Sequence, residues 1–129
     1  MSAPSFLASS LYVAVGGGIG AWLRFAAGRV IGAPAPFPLA TLTINVAGSL
    51  AMGLLAGWLA RQAGGTESAR LLLGVGLLGG FTTFSAFSLE VAGLIQRGLM
   101  GSAALYILLS VAGGVAGLFL GLAITGRTA

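Results

Sequence analysis

Six Arg and two Glu are the only charged side chains in this chain of 129 residues, and three of its four long apolar stretches contain none of them. These run from the N-terminus to Leu23, between Arg29 and Arg61, from about Ala69 to Ile95, and from Gly98 to Gly126. A helix that crosses a bilayer needs about 20 consecutive apolar residues. A soluble domain carries roughly a quarter of its residues as charges; here the share is 6%. The pattern predicts an all-α membrane protein, a single domain over 1–129, with four spanning helices at about 9–30, 39–60, 69–95 and 99–125. Gly32, Pro34, Pro36 and Pro38 mark the first loop. The other connections, Arg61 to Ser68 and Gln96 to Gly98, are short. The N-terminal stretch lacks a basic leader, so it is expected to be a retained helix and not a cleaved signal peptide. An even helix count puts both termini on one side.

The chain has no His, Cys, Asp or Lys. That removes thiolate and imidazole metal sites, disulfides, and catalysis by Cys or His nucleophiles. The arginines stand singly between apolar runs, which argues for helix-end anchors and against nucleic-acid binding. Arg24, Arg29 and Arg97 fall at one side of the expected bundle, and Arg61, Arg70 and Arg127 at the other. Orientation follows the excess of Arg and Lys on the cytoplasmic side, and three against three gives none. One reading is a weak bias settled by other features, such as the N-terminal amine. The sharper reading is a chain that inserts both ways and pairs as an antiparallel, dual-topology homodimer, its two-fold axis lying in the membrane plane.

Glycine makes up 23 of the 129 residues, well above the usual share of about 7%. Ser49, Gly53 and Gly57 recur every four residues, as do Gly113, Gly117 and Gly121, and Gly16 pairs with Gly20. Such faces let helix backbones approach closely. Gly74–Gly79 matches the dinucleotide pattern G-x-G-x-x-G, and Gly16–Ala21 its alanine variant. Both lie inside spans, and neither has an acidic residue about 20 positions on, so no nucleotide is expected.

The chemical centre is Gly79-Gly-Phe-Thr-Thr-Phe-Ser-Ala-Phe-Ser-Leu-Glu90, in the middle of the third span. Irregular backbone at that depth is tolerated only where protein or water lines it. Paired glycines invite a break, and the hydroxyls after them can cap a restarted helix. A break frees carbonyls that suit a hard cation such as Na⁺ and N–H groups that suit an anion. In an antiparallel pair, carbonyls of both copies could enclose one cation on the axis; alternatively the helix is merely kinked, its hydroxyls bonding back to their own backbone. Phe84 and Phe87 share a face with Glu90. Aromatic stripes of this kind are commonly core packing, although ring edges can hold an anion. Thr41, Asn45 and Ser49 on the second helix, and Tyr106 and Ser110 on the fourth, point to the same depth. Asn45 either bonds the bundle together or lines a path. Arg24 and Glu90 either act on an ion, anchor at the interface, or pair with each other.

The segments Gly16-Gly-Gly-Ile-Gly-Ala-Trp-Leu-Arg24-Phe25, Pro38-Leu-Ala-Thr41-Leu-Thr-Ile-Asn45-Val-Ala-Gly48 and Gly79 to Glu90 resemble, in order, the Fluc (CrcB) fluoride channel family. The resemblance covers nearly the whole chain. It implies a dual-topology homodimer in the cell (inner) membrane, with two fluoride pathways and a structural Na⁺ at its centre, lowering cytoplasmic fluoride by passive efflux. Carried over by motif, the backbone carbonyls of Gly79 and Thr82 would hold the Na⁺. Phe84 and Phe87 would line each pathway edge-on, with Asn45 as the pore amide. Arg24 would sit at the aqueous vestibule, and Tyr106, Ser110 and Thr41 would belong to a polar track. Ala86 and Gly114 stand where the family often has hydroxyls. A small multidrug exporter is the competing class, but its central carboxylate on the first helix is absent; Glu90 lies late in the third. A scaffold without transport is a further reading. An enzyme is not expected, because no base stands near the hydroxyls.

Overall fold

The computed structural model describes residues 2–32, 36–64 and 66–126. Pro34 of the first loop and Arg127 of the arginine count lie outside the described residues. The described residues contain helices and no strands. Helix α1 (Phe6–Ile31) begins three residues before the expected start because Ser5 caps it, its hydroxyl accepting the Ala8 N–H at 3.2 Å. It stops at Gly32, whose φ of 72° a side chain would disfavour. Helix α2 covers Leu39–Leu59. The next helical stretch is composite: α3 (Glu67–Ala69), a π-helical segment π1 (Arg70–Leu78), α4 (Gly79–Phe81) and α5 (Phe84–Gln96). Between α4 and α5, Thr82 (φ −82°, ψ 157°) and Thr83 (φ −149°, ψ 122°) are extended. Helix α6 covers Met100–Ile124. Four stretches, Phe6–Ile31, Leu39–Leu59, Glu67–Gln96 and Met100–Ile124, are long and apolar enough to cross a membrane. The protein is a multi-pass membrane protein.

Two parallel seams hold the bundle together, α2 along α6 and α1 along π1 and α4. The glycine stripes form them. A methyl group at Gly53 would strike the Leu118 carbonyl, and one at Gly57 the Thr125 side chain. A methyl at Gly16 would strike the Leu72 carbonyl, one at Gly20 the Leu77 carbonyl, and one at Gly80 would come within 2.5 Å of Gly17 O. With no hydrophobic gain available between helices in lipid, this close backbone approach is the main source of association. The buried core is small. Leu94, Ala103 and Tyr106 sit at its centre, with Phe37, Leu42, Phe87, Val91 and Leu99 packed around them. Phe6, Trp22, Phe25, Leu108 and Phe119 are exposed, as suits side chains whose solvent is hydrocarbon. At one end the first loop and the α5–α6 turn meet, where Pro36, Pro38 and Arg97 line one recess. Arg70 lies at the start of π1, where it pairs with Glu67 at 2.8 Å.

Candidate functional site

The polar residues of the spans gather where α5 begins. Thr83 is the pivot. Its hydroxyl accepts the Ala86 N–H at 3.2 Å, which caps α5. Its backbone is gripped on both sides by the Asn45 amide: Thr83 N–H donates to Oδ1 at 2.8 Å, and Nδ2 donates to Thr83 O at 2.9 Å. An extended peptide inside a helical bundle leaves donors and acceptors without helical partners, and one Asn on α2 satisfies both. One Nδ2–H of Asn45 is left over.

These two bonds also release specific carbonyls. In a continuous α-helix Thr83 N–H would donate to Gly79 O, and Ala86 N–H to Thr82 O. With both donors engaged elsewhere, the Gly79 and Thr82 oxygens lose their helical partners. Gly80 O, lying between them, accepts Arg24 Nε–H at 3.1 Å. The Thr82 hydroxyl turns back to Leu78 O at 2.9 Å. The paired glycines themselves are helical. The extended residues are the two threonines that follow them.

A second cluster surrounds Glu90. Thr41 Oγ1 donates to Oε1 at 2.7 Å and Tyr106 Oη donates to Oε2 at 2.6 Å. Two hydroxyl donors satisfy a carboxylate that would otherwise be costly inside a span. Both hydroxyl protons are thereby committed. Ser110, one turn beyond Tyr106, has a buried hydroxyl with no partner among the described residues. Phe87 links the two clusters: its ring lies 5.5 Å from that of Phe84 and 5.1 Å from that of Tyr106, at 60° to the latter. Phe84 is 79% exposed. Asn45, Ser49, Thr82, Thr83 and Phe84 border an open recess of about 220 Å³. A separate recess of about 290 Å³ at the loop end reaches Thr41 and Glu90 past Phe37 and Arg97.

The structure therefore brings Thr41 and Tyr106 together around Glu90, and places Asn45, Thr82 and Phe84 around one opening. Arg24 lines neither recess, and it bonds Gly80 O without pairing with Glu90. Sequence reasoning missed Phe37, which meets Tyr106 edge-on at 5.7 Å, and gave Glu90 too little weight. An aromatic flanked by Pro36 and Pro38 is the signal for Phe37: a rigid loop presents it inward. No period or spacing could reveal the reciprocal Asn45–Thr83 pairing, because it joins residues 38 positions apart.

The family model described as CrcB-like protein, Camphor Resistance (CrcB), matches residues 11–122. Among curated relatives, a protein of Novosphingobium aromaticivorans named fluoride-specific ion channel FluC is 64% identical over 122 residues, covering 92% of this chain and 96% of the relative. Proteins of the same name from Hyphomonas neptunium and Rhodopseudomonas palustris are 56% and 52% identical, over 87% and 88% of this chain and 91% and 94% of their own lengths. With a family model across most of its length and full-length relatives at this identity, the chain belongs to the CrcB family.

Proposed function

We propose that this chain is a fluoride-specific ion channel, not an enzyme, that lets fluoride leave the cytoplasm passively across the inner cell membrane. The observation that carries the reading is the 64% identity, over nearly the full length of both chains, to a relative named fluoride-specific ion channel. The site chemistry supports it. Fluoride is small and strongly hydrated, so a selective path must replace its water with hydrogen-bond donors and ring edges. The free Nδ2–H of Asn45, the unpartnered Ser110 hydroxyl and the edges of Phe84 and Phe87 are such groups. Thr41 and Tyr106 join the path once their hydroxyl protons leave Glu90, and Arg24 adds positive potential that favours an anion. Hydrofluoric acid enters cells neutral and ionises inside, so a passive anion leak is sufficient for export.

The working unit in this reading is an antiparallel, dual-topology homodimer whose third span is broken at mid-membrane. The recess bounded by Asn45, Ser49, Thr82 and Thr83 is polar, and one face of it is the exposed ring of Phe84. Lipid cannot serve polar backbone at that depth, and a second copy can. The Gly79 and Thr82 carbonyls, freed of helical donors, fit a structural Na⁺, since hard cations take oxygen ligands and unwound backbone supplies them in membrane proteins. Bound there, the ion would hold the two copies in register and bias the site toward anions.

Fluoride efflux from liposomes containing the purified protein, followed with a fluoride electrode, tests the function. Fast fluoride release with chloride retained is the expected result. A folded protein in sodium that releases no fluoride would overturn it and favour a scaffold.

A further inference from the structure

We infer that Arg24 is a positioning residue for the cation-binding carbonyls: it takes Gly80 O out of play and holds the rotation of the Gly79–Thr82 segment that bears the oxygens left for an ion. The inference rests on the sodium reading above. Four consecutive carbonyls lie on this segment, and Arg24 removes one of them from an ion's choice. Arg24 Nε donates to Gly80 O at 3.1 Å from a helix 56 residues away in sequence. The contact does not hang on the side chain alone. Gly80 lies directly on Gly17 of α1, where a Cβ would come within 2.5 Å of Gly17 O, and a Cβ at Gly20 would meet Phe81 N at 2.9 Å. One face of α1 therefore sets the rotation of α4 through backbone contact, and Arg24, one turn beyond Gly20, completes that setting with a charge-assisted bond.

The geometry separates this role from simple attraction of anions. A guanidinium beside a cation site opposes the cation by its charge. If charge were all that Arg24 contributed, removing it would tighten sodium binding. If it positions the carbonyls, removing it leaves Gly80 O without a donor and the segment free to rotate, and sodium binding weakens. The two roles predict shifts of opposite sign.

Thermal unfolding of the purified protein, titrated with NaCl at constant ionic strength against a large organic cation, reads the half-saturating sodium concentration without any transport. Arg24→Leu is expected to raise it about tenfold or more, the scale set by a lost hydrogen bond to a charged donor. Arg24→Lys, which keeps the charge and loses the fixed Nε–H, is expected to raise it by a smaller factor. Arg29→Leu removes a charge from the same end of α1, where the guanidinium sits over the Phe25 ring, and is expected to leave it unchanged. An unchanged or lower half-saturating concentration in Arg24→Leu overturns the inference. Should that variant not fold, a wild-type value in Arg24→Lys does the same. A wild-type protein indifferent to sodium overturns the underlying cation reading instead, and is recognised without any variant.

Discussion

Asn45 holds Thr83, and in the proposed channel it also presents a donor to a passing anion; two substitutions separate these tasks. Asn45→Ala removes both bonds to Thr83. It leaves a buried N–H and a buried C=O unpaired at about 1–3 kcal/mol each, so about 2–6 kcal/mol in total. Asn45→Asp loses only the Nδ2 donor. The Thr83 N–H still meets an oxygen, now through a stronger charge-assisted bond, but a carboxylate oxygen is set against Thr83 O and its charge is carried inside a span, so stability does not separate the two variants. Conduction does. A carboxylate about 4 Å from an anion raises its energy by about 4 kcal/mol at an effective dielectric of 20, which slows passage roughly a thousandfold. Alanine places no charge in the path. Both variants are therefore expected to be less stable than wild type, and the expected order of fluoride efflux per folded channel is wild type, Asn45→Ala, Asn45→Asp. Asn45→Asp conducting as well as Asn45→Ala would refute the placement of the amide on the path and leave Asn45 as a structural clamp.

Phe84→Ile is expected to abolish fluoride efflux while leaving the single chain folded, because its ring is largely exposed there. Phe87→Ile should also abolish efflux but lower stability by about 1 kcal/mol, through loss of the ring contact with Tyr106. Efflux and unfolding measured on both variants check the difference. Gly20→Ala should destabilise the bundle by about 1–3 kcal/mol, since the new methyl has backbone and no yielding side chain to meet. Gly18→Ala, with nothing within 4 Å, should stabilise α1 by up to about 1 kcal/mol in the same unfolding assay. Two lysines added to the 61–68 loop are expected to fix a single insertion orientation and prevent pairing when that variant is expressed alone. Normal efflux from it would contradict the antiparallel arrangement.

What the sequence made legible follows from period and polarity. Four apolar stretches, read against bilayer thickness, name the spans, and four-residue glycine spacing identifies the faces at Gly16, Gly20, Gly53 and Gly121 that form the two seams. The same reasoning does not locate the irregular backbone. Gly79-Gly80 is the local weak point by propensity, yet both residues are helical and Thr82 and Thr83 are extended. Tertiary contact decides this. Gly80 is small so that it can lie on Gly17, and its missing side chain serves packing, not conformational freedom. Thr83 is extended because Asn45 supplies a donor and an acceptor to a peptide that a helix would otherwise have satisfied. The Glu90 cluster was obscure for a related reason: Thr41, Glu90 and Tyr106 come from three helices, and one sequence carries no record of which hydroxyl meets which oxygen.

The allocation of protons among these groups bears on where an anion can be served. Thr41 and Tyr106 are the most obvious hydroxyl donors, but both point at Glu90. The Thr83 hydroxyl is acting as an acceptor for α5, and the Thr82 and Ser88 hydroxyls close on Leu78 O and Phe84 O. Asn45 and Ser110 each retain an uncommitted proton, and the Thr83 and Ser85 hydroxyls, 3.4 Å apart, retain one more between them. These few donors do not replace the full hydration of fluoride in the proposed channel. In that reading the deficit is met by the positive edges of Phe84 and Phe87, whose rings sit 5.5 Å apart at a 43° tilt. This gives the rings a reason to be phenylalanine. An aliphatic side chain fills the same space without a positive edge, and a tyrosine hydroxyl would add a donor but also another acceptor to turn an anion away. The exposed face of Phe84 then has to be covered by protein, because lipid on that side would leave the anion without partners across half its surface. In the proposed channel, selectivity and pairing come from a single requirement.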